Sequence, residues 1–240
     1  MLTTLVTAGT ALTLTAGGYA YAAMWPTSQI FGPAIIGGKD PGEVALTYDD
    51  GPNDPYTQQL LDVLAQHNVR ATFFLIGRFV RQRPDIVRAI HSAGHLVGNH
   101  TTTHPVLLFQ SPRRVREELQ GCSAAIEDAL GEQVRYFRPP HGARRPDVLR
   151  TARELGLTPV LWNAMGYDWK RTTPDTVLAK LQKGIRSNRK RGTGSNLLLH
   201  DGGQACIGQD RRHTVTATAS LIQSVKEEGI RFVTVDAWNL

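Results

Sequence analysis

The sequence predicts an α/β domain in which parallel strands alternate with helices and close into a distorted barrel. Short apolar runs alternate with amphipathic stretches from residue 43 onward, a pattern typical of parallel sheets covered by helices. No G-x-G-x-x-G or Walker loop follows an apolar run, so a barrel is favoured over an open nucleotide-binding sheet. The chain has 240 residues, 41% of them hydrophobic, which is enough for one large core.

Seven short apolar runs are the candidate strands: Val44 to Tyr48, Ala71 to Ile76, Leu96 to Gly98, Arg135 to Phe137, Thr158 to Trp162, Asn196 to Leu199 and Arg231 to Val235. A capping hydroxyl followed by proline predicts helices at Ser111-Pro112 and Thr173-Pro174. The first should end near Gly131, and another should run from Pro84 to His91 and stop at Gly94. Apolar stripes indicate two more helices, at Leu60, Leu61 and Leu64 and at Val215, Ala219 and Ile222.

Residues 1–23 are predicted to be a signal peptide or an N-terminal membrane anchor. No charged residue occurs between Leu2 and Ala23, and this run approaches the ~20 residues that span a bilayer. Ala20 to Ala22 offers a cleavage point but the basic n-region is missing, so a start at Met24 is a third alternative. Residues 24–42 are read as a Pro- and Gly-rich linker. In the first two cases the domain at residues 43–240 works outside the cytoplasm, secreted or membrane-anchored.

The positive net charge favours binding to anionic surfaces or polymers, but it does not indicate nucleic acid as the partner. Lys and Arg number 27 against 21 Asp and Glu, a net charge of +6. The basic residues form short clusters and no sustained stripe, so we expect no nucleic-acid partner and a monomeric protein. Cys122 and Cys206 can pair outside the cytoplasm, but Cys122 lies in a helical pattern, where a buried free thiol is common.

Five polar clusters each follow an apolar strand: Asp49-Asp50, Asn99-His100, Arg138, Asp168-Trp169 and His200-Asp201. In barrels of parallel strands the active site forms from the loops at the carboxyl ends of the strands. We therefore expect these clusters, although scattered along the chain, to converge at one end of the barrel.

A histidine pair within these clusters suggests a metal site. His100 and His104 are four residues apart, and a single helical turn would place both imidazoles on one side. His91 and His95 have the same spacing, but Gly94 lies between them and would separate the rings. We treat that second pair as accidental.

An acidic pair supplies the charge that such a site requires. Asp49 and Asp50 precede Gly51-Pro52, a turn that exposes both carboxylates. Adjacent residues point in different directions, so one can bind a metal while the other faces the bound water. Two His and one Asp with open positions suit a catalytic zinc. The same set of ligands occurs in non-haem iron oxygenases. The alternation of strands and helices in this sequence argues against that class of enzyme.

The ordered motifs resemble those of the polysaccharide deacetylases, also called carbohydrate esterase family four or the NodB-homology domain. The resemblance covers roughly Glu43 to Val235 and rests on Thr47-Tyr48-Asp49-Asp50, His100-Thr-Thr-Thr-His104, Arg138-Pro139-Pro140-His141-Gly142, Asp168-Trp169 and Leu197-Leu198-Leu199-His200-Asp201-Gly202. It implies a distorted (β/α)7, TIM-barrel-like fold. It also implies one divalent metal, usually zinc, and the removal of acetyl groups from N- or O-acetylated sugars.

The same resemblance implies a role for each site residue. The implied metal ligands are Asp50, His100 and His104, the general base is Asp49 and the general acid is His200. Arg138 would position Asp49, and Asp168 would orient Arg138. The acetyl pocket would be completed by Trp169 and Leu198 as walls and by the backbone N–H of His141 at the oxyanion. Two positions depart from the family pattern: His141 replaces an aromatic residue, and Met165 replaces a further Asp.

The expected activity is hydrolysis of N-acetyl groups in glycans that contain N-acetylglucosamine, such as peptidoglycan or chitin oligomers, with release of acetate. The departing amine must be protonated, and a histidine such as His200 suits that step. Two alternatives remain: an O-acetyl esterase on acetylated xylan-type polysaccharide, and a non-catalytic glycan-binding relative. Asp49, Asp50 and His200 argue against the binder, because binding alone requires neither a base nor an acid.

Overall fold

Eight parallel strands form the sheet in the computed structural model, which describes residues 17–238. Their bounds are β1 Glu43–Gly51, β2 Thr72–Leu75, β3 Leu96–Asn99, β4 Tyr136–Phe137, β5 Thr158–Pro159, β6 Ala164–Met165, β7 Ser195–His200 and β8 Arg231–Val233. All seven expected strands are present. The very short β6 was not predicted, and β5 ends earlier than its apolar run.

The sheet curls into an incomplete barrel around β1. Its order is β5-β4-β3-β2-β1-β7-β6, with β8 paired to the first half of β1. Within the described residues β5 and β6, the two ends of this order, do not pair with each other. Because every pairing is parallel, the carboxyl ends of the strands lie at one edge.

Seven α-helices between residues 43 and 238 cover this sheet: α1 Tyr56–Gln66, α2 Gly77–Gln82, α3 Pro84–Ser92, α4 Pro112–Leu130, α5 Pro146–Glu154, α6 Pro174–Lys190 and α7 Arg212–Glu227. Oγ of Ser111 caps α4 by accepting the N–H of Arg114, and Gly131 ends it with φ 74°. Oγ1 of Thr173 caps α6 in the same way. The predicted starts of these two helices are confirmed.

The segment before β1, expected as a linker, lies against the barrel. Residues 17–24 are helical, and Ala23 is fully buried. Ile35 bridges to Val160 just beyond β5, while the carbonyl of Gly38 accepts the N–H of Gly194 just before β7. Residues 35–38 therefore bond both to the segment after β5 and to the residue before β7.

Most of the predicted leader, residues 1–16, lies outside the described residues. Between residues 17 and 238 no helix is both long and apolar enough to cross a membrane. The sequence left open whether the two cysteines pair; in the structure Cys122 is buried and free and Cys206 is exposed and free. The thiol of Cys122 instead donates to the carbonyl of Leu75.

Candidate active site

Strand register brings the predicted site residues together at the carboxyl edge of the sheet. Asp49 on β1 lies directly opposite His200 on β7, and Asn99 on β3 lies opposite Phe137 on β4. The residues that follow, His100 and Arg138, therefore leave the sheet side by side. Segments far apart in sequence thus meet around one cavity, as the polar clusters predicted.

Asp50, His100 and His104 form a buried trio whose ligand atoms all lie within 4.8 Å of one another. Oδ1 of Asp50 is 3.1 Å from Nε2 of His104 and 3.5 Å from Nε2 of His100. Burial alone would raise the pKa of Asp50, but the neighbouring imidazoles outweigh it and hold the pKa well below its usual range. The trio therefore presents one carboxylate and two ring nitrogens to a common point.

The tautomer of His100 follows from its second ring nitrogen. Nδ1 of His100 lies 2.8 Å from the carbonyl oxygen of Arg138, which accepts only if Nδ1 carries the proton. Nε2 is then left as a lone pair facing the trio, the arrangement typical of metal-ligating histidines. His104 has no such partner, because its Nδ1 is buried without a hydrogen bond in the described part of the chain.

The loop that carries both histidines is not the helical turn we expected. Thr101 and His104 have φ values of 66° and 63°, and the loop is held by side chains rather than by helical bonds. Oδ1 of Asn99 accepts the N–H of Thr101, and the buried Glu118 accepts both the N–H and the hydroxyl of Thr103. The two rings still meet, with centroids 4.9 Å apart.

Backbone strain concentrates around the cavity. In addition to that loop, Asp50 and His141 adopt φ values of 75° and 57°. Such left-handed conformations cost non-glycine residues on the order of 1–3 kcal/mol each and persist where surrounding packing enforces them. The strain marks the same segments that carry the predicted metal ligands and the oxyanion loop.

Arg138 is fully buried and holds Asp49. Its Nη1 donates to Oδ1 of Asp49 at 2.8 Å and to the hydroxyl of Thr47 at 2.7 Å, while Nη2 donates to the carbonyl of Leu161. The guanidinium also stacks over the ring of Phe74, 4.2 Å from its centroid. Burial lowers the pKa of Arg138, although Asp49 opposes that shift.

The expected contact between Asp168 and Arg138 is wrong. Asp168 is buried against His200 instead: Oδ1 lies 2.9 Å from Nδ1 of His200, and Oδ2 accepts the N–H of His200 at 2.8 Å. The hydroxyl of Thr214 donates to the same Oδ2. Arg138 is positioned without a second carboxylate: Thr47 and the Leu161 carbonyl accept further hydrogen bonds from its Nη atoms, while its Nε is buried without a partner among residues 17–238.

The predicted site residues other than Arg138 and Asp168 line one cavity of about 470 Å³. Leu198 is buried in its wall, Trp169 is 42% exposed at its rim, and the exposed ring of His141 packs edge-on against His104. Lining residues that sequence reasoning missed are Trp162, Gly203, Gln204, Ala205, Gln209 and Arg211. Trp162 ends a predicted strand, which is a usable signal, whereas the residues at 203–211 lie in a loop without a motif.

The barrel and the buried trio beside an Asp and a His define a class of polysaccharide-modifying hydrolases. Residues 37–160 match the family model described as polysaccharide deacetylase. The chain belongs to this family, and the (β/α)7 fold inferred from the motifs is confirmed by solved members.

Individual relatives are similar over most of the chain. A chitooligosaccharide deacetylase of Bradyrhizobium sp. (strain ANU 289) is 38% identical over 193 residues, which cover 78% of this chain and 85% of that protein. The crystal structure of the Bc1960 peptidoglycan N-acetylglucosamine deacetylase has a TM-score of 0.77 and 33% identity, and the match covers 85% of this chain and 91% of that one.

A related fold without activity is also known. The wild-type BA3943 protein of Bacillus anthracis, described as a pseudoenzyme of carbohydrate esterase family four, has a TM-score of 0.72 and 30% identity. The match covers 82% of this chain and 64% of that one. The barrel alone therefore does not decide between a catalyst and a binder, and the decision rests on the residues in the cavity.

Proposed function

We propose that this protein is a zinc-dependent deacetylase that hydrolyses N-acetyl groups of N-acetylglucosamine-containing glycans and releases acetate. One observation carries the proposal. The buried trio of Asp50, His100 and His104 shares its cavity with Asp49 and His200, and each of these last two has a dedicated partner. A glycan-binding module has no use for such a paired base and acid.

The trio fits a zinc ion by spacing and by chemistry. Ligands 2.0–2.2 Å from a tetrahedral zinc lie about 3.3–3.6 Å apart, close to the 3.1 and 3.5 Å between Oδ1 of Asp50 and the two Nε2 atoms. That Oδ1 is also buried without a hydrogen bond, a costly state that a cation relieves. When bound, a divalent cation would polarise the acetyl carbonyl and lower the pKa of the attacking water.

Asp49 acts as the general base in this proposal. Its Oδ1 is occupied by Arg138, so Oδ2 is the oxygen left to accept a proton from the attacking water. The charge-assisted hydrogen bond from Arg138 fixes the direction of the carboxylate.

His200 acts as the general acid for the departing amine. Because Nδ1 faces Asp168, Nε2 is the nitrogen left to donate a proton to the leaving group. Burial alone would lower the pKa of His200, but the Asp168 carboxylate outweighs it and raises the pKa to about 9. The imidazole therefore holds its proton at neutral pH, as an acid for this step must.

The walls of the cavity select the acetyl group. Leu198 and Trp169 supply apolar surface for the methyl, and the backbone N–H of His141, in its left-handed conformation, donates to the developing oxyanion. The side chain of His141 lies at the rim, beside His104.

We also propose that the protein works outside the cytoplasm, secreted or tethered through its N-terminal segment. The uncharged run from Leu2 to Ala23 supports export or anchoring. A polymeric cell-envelope or extracellular glycan as substrate agrees with that location.

Acetate release tests the proposal against its alternatives. Purified protein is incubated with chitin oligomers, peptidoglycan and acetylated xylan, before and after chelation and with zinc restored. Acetate from the first two, abolished by chelator and recovered with zinc, supports the proposal. Release only from xylan would favour the O-acetyl esterase, and no release from any substrate would favour the binding module.

A further inference from the structure

Arg211 is a buried arginine in the wall of the cavity that the proposed chemistry does not use. It precedes α7, is 8% exposed and lines the same cavity as Asp50 and His200. Its Nε donates to the carbonyl of Gly202 at 2.6 Å. Between residues 17 and 238 we find no acceptor for either Nη atom and no carboxylate within 4 Å of the guanidinium.

The other two most buried arginines differ in this respect. Arg138 is paired with Asp49, and Arg144 donates to the carbonyls of Gly142, Trp25 and Ser28. The Nη atoms of both are therefore used within the chain. Those of Arg211 are not among the buried atoms that lack a partner, so they are open to the cavity, where an acceptor that is not part of the chain can reach them.

Arg211 is held close to the predicted metal ligands. Gly202, whose carbonyl it binds, packs so tightly on β1 that an added Cβ would lie 2.2 Å from the carbonyl oxygen of Asp50. The bond from Nε fixes the guanidinium on this wall. When the acetyl group of a substrate lies at the trio, substituents on the same sugar or on the next one therefore lie near Arg211.

We propose that Arg211 binds a carboxylate carried by the glycan, on the sugar that is deacetylated or on the next one. A guanidinium offers two parallel donors that match a carboxylate, and a neutral hydroxyl uses only one. The proposal rests on the deacetylase function and narrows its substrate to an acidic glycan such as peptidoglycan, which carries carboxylates on its peptides, or on the lactyl group of sugars without a peptide. The net charge of +6 favours encounter with such a polymer.

Substrates that differ only in charge test this subsite. Equal-length oligosaccharides are prepared in which sugars adjacent to N-acetylglucosamine bear a free lactyl carboxylate, its methylamide, or a peptide that is joined to the lactyl group by an amide bond and has a free carboxylate. A neutral N-acetylglucosamine oligomer of the same length completes the set. For the zinc-loaded full chain, kcat/KM for acetate release should be about tenfold higher with a free carboxylate than with the methylamide.

Variants assign that preference to Arg211. Arg211→Gln should bring the ratio between charged and amidated substrates close to one, and Arg211→Lys should leave an intermediate ratio. Arg212→Gln is the matched control, since it removes the same charge from the next residue, which is exposed and paired with Asp210. It should preserve the ratio.

The outcomes separate this proposal from the general function. Equal turnover of charged and amidated substrates by the wild-type chain overturns the carboxylate site but leaves the deacetylase intact, and it does not depend on any variant folding. An equal loss on both substrates in Arg211→Gln also overturns it, because Arg211 then only supports the Gly202 loop. Preference for the lactyl or for the peptide carboxylate supports the site and identifies which group it binds. No acetate from any substrate overturns both proposals.

Discussion

Oδ1 of Asp168 lies 2.9 Å from Nδ1 of His200, and both oxygens of this buried carboxylate are used on His200. The carboxylate therefore fixes the ring, the backbone and the proton affinity of a single histidine. This pairing connects the loop after β6 to the end of β7, and it gives the proposed acid its own counterion, separate from the Arg138–Asp49 pair of the proposed base.

Asp168→Asn should shift the alkaline limb of the pH–rate profile toward lower pH. With its counterion, His200 has a pKa raised to about 9, so the acid stays protonated up to that pH. Without the charge, the desolvation that opposes this shift remains, and the pKa should fall by at least about one unit. The measurement is kcat/KM from pH 5 to 10 on a chitin oligomer.

Thr214→Val is the control for this change. It removes a hydrogen bond to Oδ2 of Asp168 but keeps the carboxylate charge. Its alkaline limb should stay near that of the wild type. An unchanged limb in Asp168→Asn would contradict the assignment of His200 as the acid.

Asp50→Ala and Asp49→Asn should separate metal binding from catalysis. Loss of Asp50 removes one of three ligand side chains, so bound zinc should fall to background. Asp49→Asn leaves the trio intact, so zinc should remain near one per chain while turnover falls by roughly 10²-fold or more. Zinc content and turnover rate, measured on the same preparations, test this division of roles. Equal zinc loss in both variants would reject it.

Arg138→Met should destabilise the fold. The change leaves the Asp49 carboxylate buried without its cation and removes donors from Thr47 and the Leu161 carbonyl. Removing one partner of a buried pair costs about 3–5 kcal/mol. Urea unfolding of the metal-free protein measures this cost, because a bound cation would otherwise compensate the carboxylate. A loss below 1 kcal/mol would show that the pair contributes little to stability.

Arg144→Ala should loosen the segment before β1. The buried guanidinium donates to Trp25 and Ser28 carbonyls at 2.8 and 2.7 Å, and burial lowers its pKa to about 10. The loss should be on the order of 3 kcal/mol, with faster proteolysis near residue 28. Exposed Arg153, which donates to the Pro33 carbonyl, is the control, and Arg153→Ala should cost about 0.5 kcal/mol or less. Similar losses in both would contradict a special role for Arg144.

The succession of strands along the chain, and the polar clusters that follow them, could be predicted from the sequence. Apolar runs ending in Asp49-Asp50, His100 and His200 identify the carboxyl ends of parallel strands, and parallel strands bring those ends to one edge whatever the details of packing. The ends of helix α4 could also be predicted, because the capping Ser111 before Pro112 and the glycine at 131 act on residues only a few positions away.

Only the tertiary structure decided which side chains pair with one another. Asp168 binds His200 rather than Arg138, and Arg211 lines the cavity from a loop without a motif. Such choices depend on the curl of the sheet and on which donor each buried group reaches, contacts that link positions tens to more than a hundred residues apart. The spacing of residues along the chain predicts local contacts, whereas these pairings depend on how distant segments pack together.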